Sequence, residues 1–144
     1  MNRAGYTWAF LAAVTWGLAY CIEGRIVARY SAIGYMVARA IVYVVLAVPV
    51  LCLMPRSGWI APLRDDPWPI LGLSALWTVG TYFIVRAEQA IGASRANAIE
   101  ILYPVFTVGF AFLFWRERLS VTFYLGLALA LAGAVLVVIG GRER

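Results

Sequence analysis

Long apolar stretches separated by short polar connections make up most of this 144-residue chain. Five such stretches lie at about 6–22, 32–54, 68–90, 94–115 and 121–140, and each is close to the roughly 20 residues that a helix needs to cross a bilayer. Connections as short as 91–93 and 116–120 favour neighbouring antiparallel helices. The pattern predicts one all-α domain over residues 1–144, an integral membrane bundle of five transmembrane helices.

Polar side chains recur every three or four residues on four of these spans, which places them on one face of each helix. The stripes contain, in chain order, Trp16, Tyr20 and Glu23; Ser31, Tyr35, Arg39 and Tyr43; Ser74, Thr78, Tyr82 and Arg86; and Asn97, Glu100, Pro104 and Thr107. Because polar groups that face lipid are costly, we expect the stripes to turn inward and line a cavity.

The fifth predicted span differs because its distinctive face is made of small residues. Gly126, Ala130 and Gly133 follow helical spacing in an otherwise apolar stretch, a pattern that allows close approach of two helix backbones. We expect this face to serve dimer packing.

Glu100 is the strongest single candidate for function, because a carboxylate inside a membrane is costly and has a short reach. Arginines such as Arg39 and Arg86 can extend toward lipid headgroups instead. Pro104 lacks an amide hydrogen, so the carbonyl of Glu100 loses its helical partner and a helix kink is expected. We hypothesise that Glu100 binds a proton or a cationic group of a substrate.

Two embedded arginines beside one carboxylate suit a zwitterionic or anionic substrate better than a hydrophobic cation. Tyr35, Tyr82 and Tyr103 add ring faces for stacking or cation contact. The residues predicted to bind the substrate or couple its movement are Glu100, Arg39, Arg86, Tyr35, Tyr82, Asn97, Trp16 and Tyr103.

The amino-acid composition argues against several classes of function. The chain is 64% hydrophobic and 13% charged, its twelve basic residues are all arginines, and it has no histidine. An arginine surplus in a membrane protein usually faces lipid phosphates, which disfavours nucleic-acid binding. We expect no metal, because histidines and paired cysteines are missing, no cofactor, and no enzymatic activity, because no nucleophile–base pair is evident.

Arginine is distributed evenly between the two sides of the membrane. Five spans place the termini on opposite sides. One side then carries five arginines, Arg3, Arg56, Arg64, Arg116 and Arg118, and the other also carries five, Arg25, Arg29, Arg95, Arg142 and Arg144, or six if Arg86 is counted. Since the bias that sets orientation is near zero, either a partner sets orientation or the chain inserts both ways. Dual insertion is our leading hypothesis.

Several short motifs, taken in order, resemble one five-helix repeat of the drug/metabolite transporter superfamily, of the EamA-like kind. These are Trp16-Gly17, Ala38-Arg39, the segment ASRANAIEILYPVF at 93–106, and Glu117 followed by an apolar helix with Gly126 and Gly133. The seven-residue glycine spacing is also similar to the dimerising last helix of small multidrug resistance proteins. Glu100 departs from the usual apolar residue of EamA-like repeats.

The resemblance implies a secondary transporter built from two inverted five-helix halves. We therefore expect an antiparallel homodimer of ten helices that moves metabolites such as amino acids, or drugs, by alternating access across an inner (plasma) membrane, with proton coupling through Glu100. The alternative is an accessory or heterodimeric subunit of a membrane transporter or lipid-linked-sugar flippase. A solute-selective channel is a further class that the sequence leaves open.

Overall fold

Helices account for almost all of the computed structural model, which describes residues 3–140 apart from the side chains at 3 and 56–59. Its helices are α1 Arg3–Val27, α2 Ala32–Leu53, α3 Arg56–Asp65, α4 Pro67–Ile91, α5 Ala93–Glu100, α6 Tyr103–Trp115 and α7 Val121–Gly140. Five stretches are long and apolar enough to cross a membrane, with α5 and α6 forming one of them, Ala93–Trp115. The predicted five-span helical membrane fold is confirmed.

Some residues used for the charge and interface predictions fall outside this description. Arg142 and Arg144 lie outside the described residues, and so do the side chains of Arg3 and Arg56.

The first connection is shorter than the sequence predicts. Helix α1 continues to Val27, so Glu23 is helical instead of beginning a loop. Gly24 is compatible with this continuation because an isolated glycine lowers helix stability by only about 1 kcal/mol. Helix α2 then begins after Ser31, whose hydroxyl oxygen accepts a hydrogen bond from the amide of Gly34 at 3.1 Å, as N-capping serines do.

The connection between the second and third predicted spans contains helix α3. Pro55 precedes this helix in extended conformation, which suits proline because its fixed φ and missing amide are tolerated where a helix begins. Ten residues rise only about 15 Å along a helix, too little to cross a bilayer. Helix α3 therefore adds no sixth span.

The helices divide into two compact units, Met1–Gly24 with Ala87–Arg144 and Arg25–Arg86. In the second unit a small core is formed by Val27, Ala32 and Val85, with Tyr35 packed against it. In the first unit α7 packs on α5, and Ala134 of α7 is buried. The single domain expected from the sequence stays a prediction.

Most large apolar side chains along the spans are exposed on the single chain, as expected for helices that contact lipid. Trp8, Trp68 and Trp115, near helix ends, are 70%, 78% and 75% exposed, and tryptophan there is typical of membrane–water interfaces. The buried residues of the described chain are five apolar side chains and two glutamates, Glu23 and Glu88. Buried carboxylates are costly, so the burial of Glu23 and Glu88 needs an explanation.

Several hydroxyl groups on the spans bond to their own helix. Ser74 donates to the carbonyl of Ile70, and Thr78 to that of Ser74, both at 2.8 Å. Such bonds to the preceding turn satisfy a hydroxyl without any outside partner. Both residues are exposed on the single chain, so this stripe does not by itself require the cavity that the sequence suggested.

Candidate functional site

The site is built around helix α5, a segment of eight residues that is interrupted at both ends. Gly92 precedes it with φ of +81°, a conformation that glycine adopts without the steric penalty of a Cβ. Ile101 and Leu102 separate it from α6. Pro104 lies in the first turn of α6 and cannot donate to the carbonyl of Glu100. The span is interrupted just after Glu100, and the role of Pro104 as the cause of a kink stays a prediction.

Glu100 is the last residue of α5 and forms a hydrogen bond with α1. The Tyr20 hydroxyl donates to Oε1 of Glu100 over 3.1 Å, in a half-buried position. Both residues lie inside predicted membrane spans, where water is scarce and a hydrogen bond to an ionisable group is worth more than at a surface. Tyr20 thus fixes the carboxyl group that the sequence marked as the leading candidate.

Asn97, one turn before Glu100, links α5 to the end of α4. Its Nδ2 donates to Oε1 of Glu88 at 3.1 Å and to the carbonyl oxygen of Ala93 at 2.8 Å. Its Oδ1 is buried and accepts no hydrogen bond from any described residue. Asn97 therefore offers a buried acceptor beside a bound carboxylate.

A close backbone contact holds α1 against the start of α5. A Cβ built on Gly24 would overlap the Cβ of Ala93 and lie 3.6 Å from its Cα. Only glycine fits at this point of α1 without moving one of the two helices. Since Tyr20 is one turn earlier on α1, the contact also sets the distance between Tyr20 and Glu100.

Tyr20, Glu23, Glu88, Asn97 and Glu100 form what we call the polar cluster. Glu23 and Glu88 are 6% and 3% exposed, and the carboxyl groups of Glu23, Glu88 and Glu100 all act electrostatically on Tyr20. The carboxyl end of α5 adds the partial negative charge of its last carbonyl groups. These contributions favour a proton or a cationic group. Among the described residues, no set of three or more His, Cys, Asp and Glu is arranged to hold a metal ion.

Arg39 and Tyr35, also predicted site residues, belong to the second unit. Nε of Arg39 donates to the Tyr43 hydroxyl at 2.6 Å, and its guanidinium carbon lies 5.2 Å from the centre of the Tyr43 ring. Tyr35 packs against the small core of that unit. Arg39 thus forms a polar pair with an aromatic partner on its own helix.

The other predicted site residues are placed less distinctively. Tyr82 packs its ring against Phe83, with centroids 5.9 Å apart, and Arg86, one turn further along α4, is exposed. Trp16 and Tyr103 are 52% and 57% exposed. All four side chains are therefore exposed on the single chain.

The small residues of α7 lie partly beside a groove. A cavity of about 290 Å³ between α5 and α7 is lined by Ala98, Ile101, Ala130, Gly133, Ala134 and Val137. A Cβ on Gly126 or Gly133 would meet no atom within 4 Å in the described part of the chain. Close packing within the chain therefore does not explain these two glycines, and their role in dimerisation stays a prediction.

Several residues that form the site are not among those predicted from the sequence. Tyr20 and Glu23 were recognised on a stripe but not as site residues, and Glu88 and Gly24 were not selected. The spacing of Tyr20, Glu23 and Gly24 was a usable signal, because residues three and four apart share a helix face. A small residue beside two polar ones on that face indicates a close helix contact.

Together these features define a class of protein: an α-helical membrane protein of five spans with ionisable side chains inside them, which is the usual mark of a solute or ion pathway. Comparison with protein families identifies it further. The model of the EamA-like transporter family matches residues 3–139. The chain belongs to this family of membrane transporters of small molecules, which confirms the resemblance. No curated protein and no solved structure matches it.

Proposed function

We propose that the protein is a secondary transporter that works by alternating access, with Glu100 as the residue that couples substrate movement to a proton or a cationic group. The observation that carries this proposal is the position of Glu100 at an interruption of a membrane span, hydrogen-bonded to Tyr20. Discontinuous helices of this kind place helix ends and ionisable groups near the membrane interior, where transporters bind substrates and ions.

The polar cluster favours binding of a proton or a cationic group at Glu100. The carboxyl end of α5 and the nearby carboxyl groups lower the energy of a proton or an ammonium group there. The buried Oδ1 of Asn97 supplies one more acceptor for such a group. Binding and release of this positive charge would change the partner of Tyr20, and with it the hold of α1 on α5.

For the substrate we propose a zwitterionic or anionic metabolite such as an amino acid, with drugs as the competing class. The spans carry both signs of charge, with Glu100 acidic and Arg39 and Arg86 basic, which supports a substrate that carries an anionic group alone or together with a cationic one. A channel would give uncoupled, unsaturable flux, which the experiment below distinguishes.

The test is transport in liposomes that contain the purified protein and an internal pH dye. Labelled amino acids, dicarboxylates and quaternary ammonium compounds are compared for uptake and for accompanying proton movement. Glu100→Gln should abolish proton-coupled uptake while the protein stays folded. Asp65→Asn is the matched control, because it neutralises an exposed carboxylate paired with Arg64 on α3. Full coupled flux in Glu100→Gln would refute the proposed role, and preference for quaternary ammonium compounds would refute the substrate class.

We further propose that the working unit is an antiparallel homodimer in an inner (plasma) membrane. The even arginine distribution supports insertion in both orientations, and the small-residue face of α7 supports close helix pairing. The test uses cells that express single-cysteine variants, with Cys21 and Cys52 replaced and either Leu119→Cys or Tyr30→Cys added, labelled by an impermeant thiol reagent.

The two added cysteines lie in connections on opposite ends of the spans and change no charge. Dual insertion predicts that each is labelled in about half of the molecules before permeabilisation. If one is labelled fully and the other only after permeabilisation, the homodimer is refuted. The alternative of an inverted partner chain, as in a heterodimeric transporter or a lipid-linked-sugar flippase, then takes its place.

A further inference from the structure

Asn97 carries a buried oxygen that the packing of the polar cluster leaves unpaired. Its Nδ2 makes two hydrogen bonds, to Oε1 of Glu88 at 3.1 Å and to the carbonyl oxygen of Ala93 at 2.8 Å. Its Oδ1 is buried and accepts no hydrogen bond from any residue that the structure describes. Because an unpaired buried acceptor costs free energy, this oxygen is suited to a donor that the described chain does not supply.

The orientation of the Asn97 amide follows from its partners. The carbonyl oxygen of Ala93 can only accept a hydrogen bond, so the amide nitrogen must face it and Oδ1 must face away. Asn97 and Glu100 are three residues apart on α5, which places them on one helix face. Side chains on a helix lean toward its amino terminus, so Glu100 leans back over the turn that carries Asn97. A carboxyl group and a neutral acceptor therefore share this face of α5.

The surroundings of these two acceptors favour positive charge. Glu23 and Glu88 are buried, and their carboxyl groups, like that of Glu100, act electrostatically on Tyr20. An ammonium group that carries at least two N–H groups donates to two acceptors at once and brings the matching charge. A quaternary ammonium ion brings the same charge but has no N–H group to donate.

We propose that Asn97 makes this site selective for a primary or secondary ammonium group, which donates one N–H to Glu100 and another to Oδ1 of Asn97. This inference rests on the proposed function, in which Glu100 binds a proton or a cationic group, and it names the kind of cation. A site built to bind an N–H group rejects analogues that lack it, because its acceptor then stays unpaired. Asn97 as a whole is only partly buried, so the ligand reaches its amide through a small movement of neighbouring side chains.

The experiment follows the side-chain carbonyl of Asn97 by nuclear magnetic resonance in dodecyl maltoside micelles. Asparagine labelled with carbon-13 at this carbonyl marks only Asn2 and Asn97, and Asn2→Ser assigns the two resonances. Methylammonium, dimethylammonium, trimethylammonium and tetramethylammonium chlorides are added in turn, with sodium chloride at matched ionic strength as the control. These cations carry equal charge and differ in the number of N–H groups, which falls from three to none.

In the wild-type protein we expect methylammonium and dimethylammonium to shift the Asn97 resonance until it saturates. Affinities for all four cations come from the rise of the unfolding temperature with ligand concentration, which also detects ligands that do not contact Asn97. Dimethylammonium should bind about 10-fold more tightly than trimethylammonium, the effect of one acceptor left unpaired.

Two variants separate hydrogen bonding from steric exclusion of methyl groups. Asn97→Leu keeps a side chain of similar size but removes the acceptor, so dimethylammonium and trimethylammonium should bind with nearly equal affinity. Thr107→Val is the matched control, because it removes an exposed hydroxyl that donates to the carbonyl of Tyr103, and it should keep the wild-type preference. Steric exclusion predicts the same preference in Asn97→Leu as in the wild-type protein.

Three results would overturn the inference. These are an Asn97 resonance that no amine shifts, equal affinity of the wild-type protein for dimethylammonium and trimethylammonium, and a preference that survives in Asn97→Leu. The first two use the wild-type protein, so they apply even if Asn97→Leu does not fold. A resonance that responds to pH but to no amine would assign the site to a proton alone, which overturns this inference and leaves the proposed transport function intact. Full coupled flux in Glu100→Gln would instead refute that function.

Discussion

The contact between Gly24 and Ala93 gives the most direct test of how the polar cluster is held together. In Gly24→Ala the new Cβ overlaps the Cβ of Ala93 and lies 3.6 Å and 3.7 Å from its Cα and amide nitrogen. The obstructing atoms belong to or adjoin the backbone, so no flexible side chain can turn away. Helices α1 and α5 must separate, and the hydrogen bond from Tyr20 to Glu100, already 3.1 Å long, must lengthen.

Two opposing terms determine the size of the effect. Overpacking a close contact costs about 1–3 kcal/mol, whereas replacing glycine by alanine inside a helix gains at most about 1 kcal/mol. Subtracting a gain of about 1 kcal/mol from this cost, we expect Gly24→Ala to lower the free energy of unfolding by up to about 2 kcal/mol. The assay is reversible unfolding in mixed micelles of dodecyl maltoside and dodecyl sulfate, followed by tryptophan fluorescence.

The same helix provides the control. Gly17 lies seven residues before Gly24 on α1, about two turns earlier. A Cβ there meets no atom of the described chain within 4 Å, so Gly17→Ala should be neutral or slightly stabilising. Adding Ala93→Gly to Gly24→Ala restores the missing space and should recover most of the lost stability. The reasoning is refuted if Gly24→Ala is as stable as Gly17→Ala, or if the added glycine at position 93 recovers nothing.

Further predictions concern Gly92, which precedes α5, and the hydrogen bonds that Tyr20 and Asn97 form, and all use the same unfolding assay. Gly92→Ala forces a Cβ into a conformation with positive φ and should cost about 1–2 kcal/mol; a similar loss in Gly80→Ala, where space is open, would contradict this. Tyr20→Phe should cost about 1 kcal/mol, whereas Tyr6→Phe, on an exposed residue, should cost nothing, and equal stability of the two refutes a stabilising hydroxyl. Asn97→Ala should lower the free energy of unfolding by about 1–3 kcal/mol because the buried carboxylate of Glu88 loses a donor. Asn97→Asp should lower it further. If Asn97→Asp is more stable than Asn97→Ala, Asn97 does not act as a donor to Glu88.

The fold could be predicted from the sequence because one physical requirement dominates it. A span must be apolar over about 20 residues, so counting apolar residues finds the five spans. Counting apolar residues does not show where each helix begins and ends. The carboxyl end of α1 lies five residues beyond its predicted limit because Glu23 and Arg25 are polar yet helical, and hydropathy measures polarity, not backbone conformation.

The candidate site was predictable only in part, for a related reason. Glu100 stands out because a lone carboxylate within an apolar stretch has no ordinary explanation, and Pro104 marks the break beside it. The partner of Glu100, Tyr20, lies eighty residues away, and helical spacing gives the face of a residue without saying which other helix that face meets. Glu88 was missed because it lies near a span end, where a glutamate is usually solvated; it is buried here.

The structure of α5 links these observations into a single argument about movement. A helix of eight residues has too few internal hydrogen bonds to be stable alone, and both of its joints interrupt the backbone ladder that would fix it to α4 and α6. Its position therefore depends on its packing against α7, on the side-chain bonds made by Glu100 and Asn97, and on the Gly24 contact. Because the strongest of these bonds involve carboxyl groups, a positive charge that binds in the polar cluster competes directly with the restraints on α5. Since these bonds are among the restraints on α5, we expect a positive charge bound there to change the position of this helix, which is the movement that the proposed alternating-access mechanism uses.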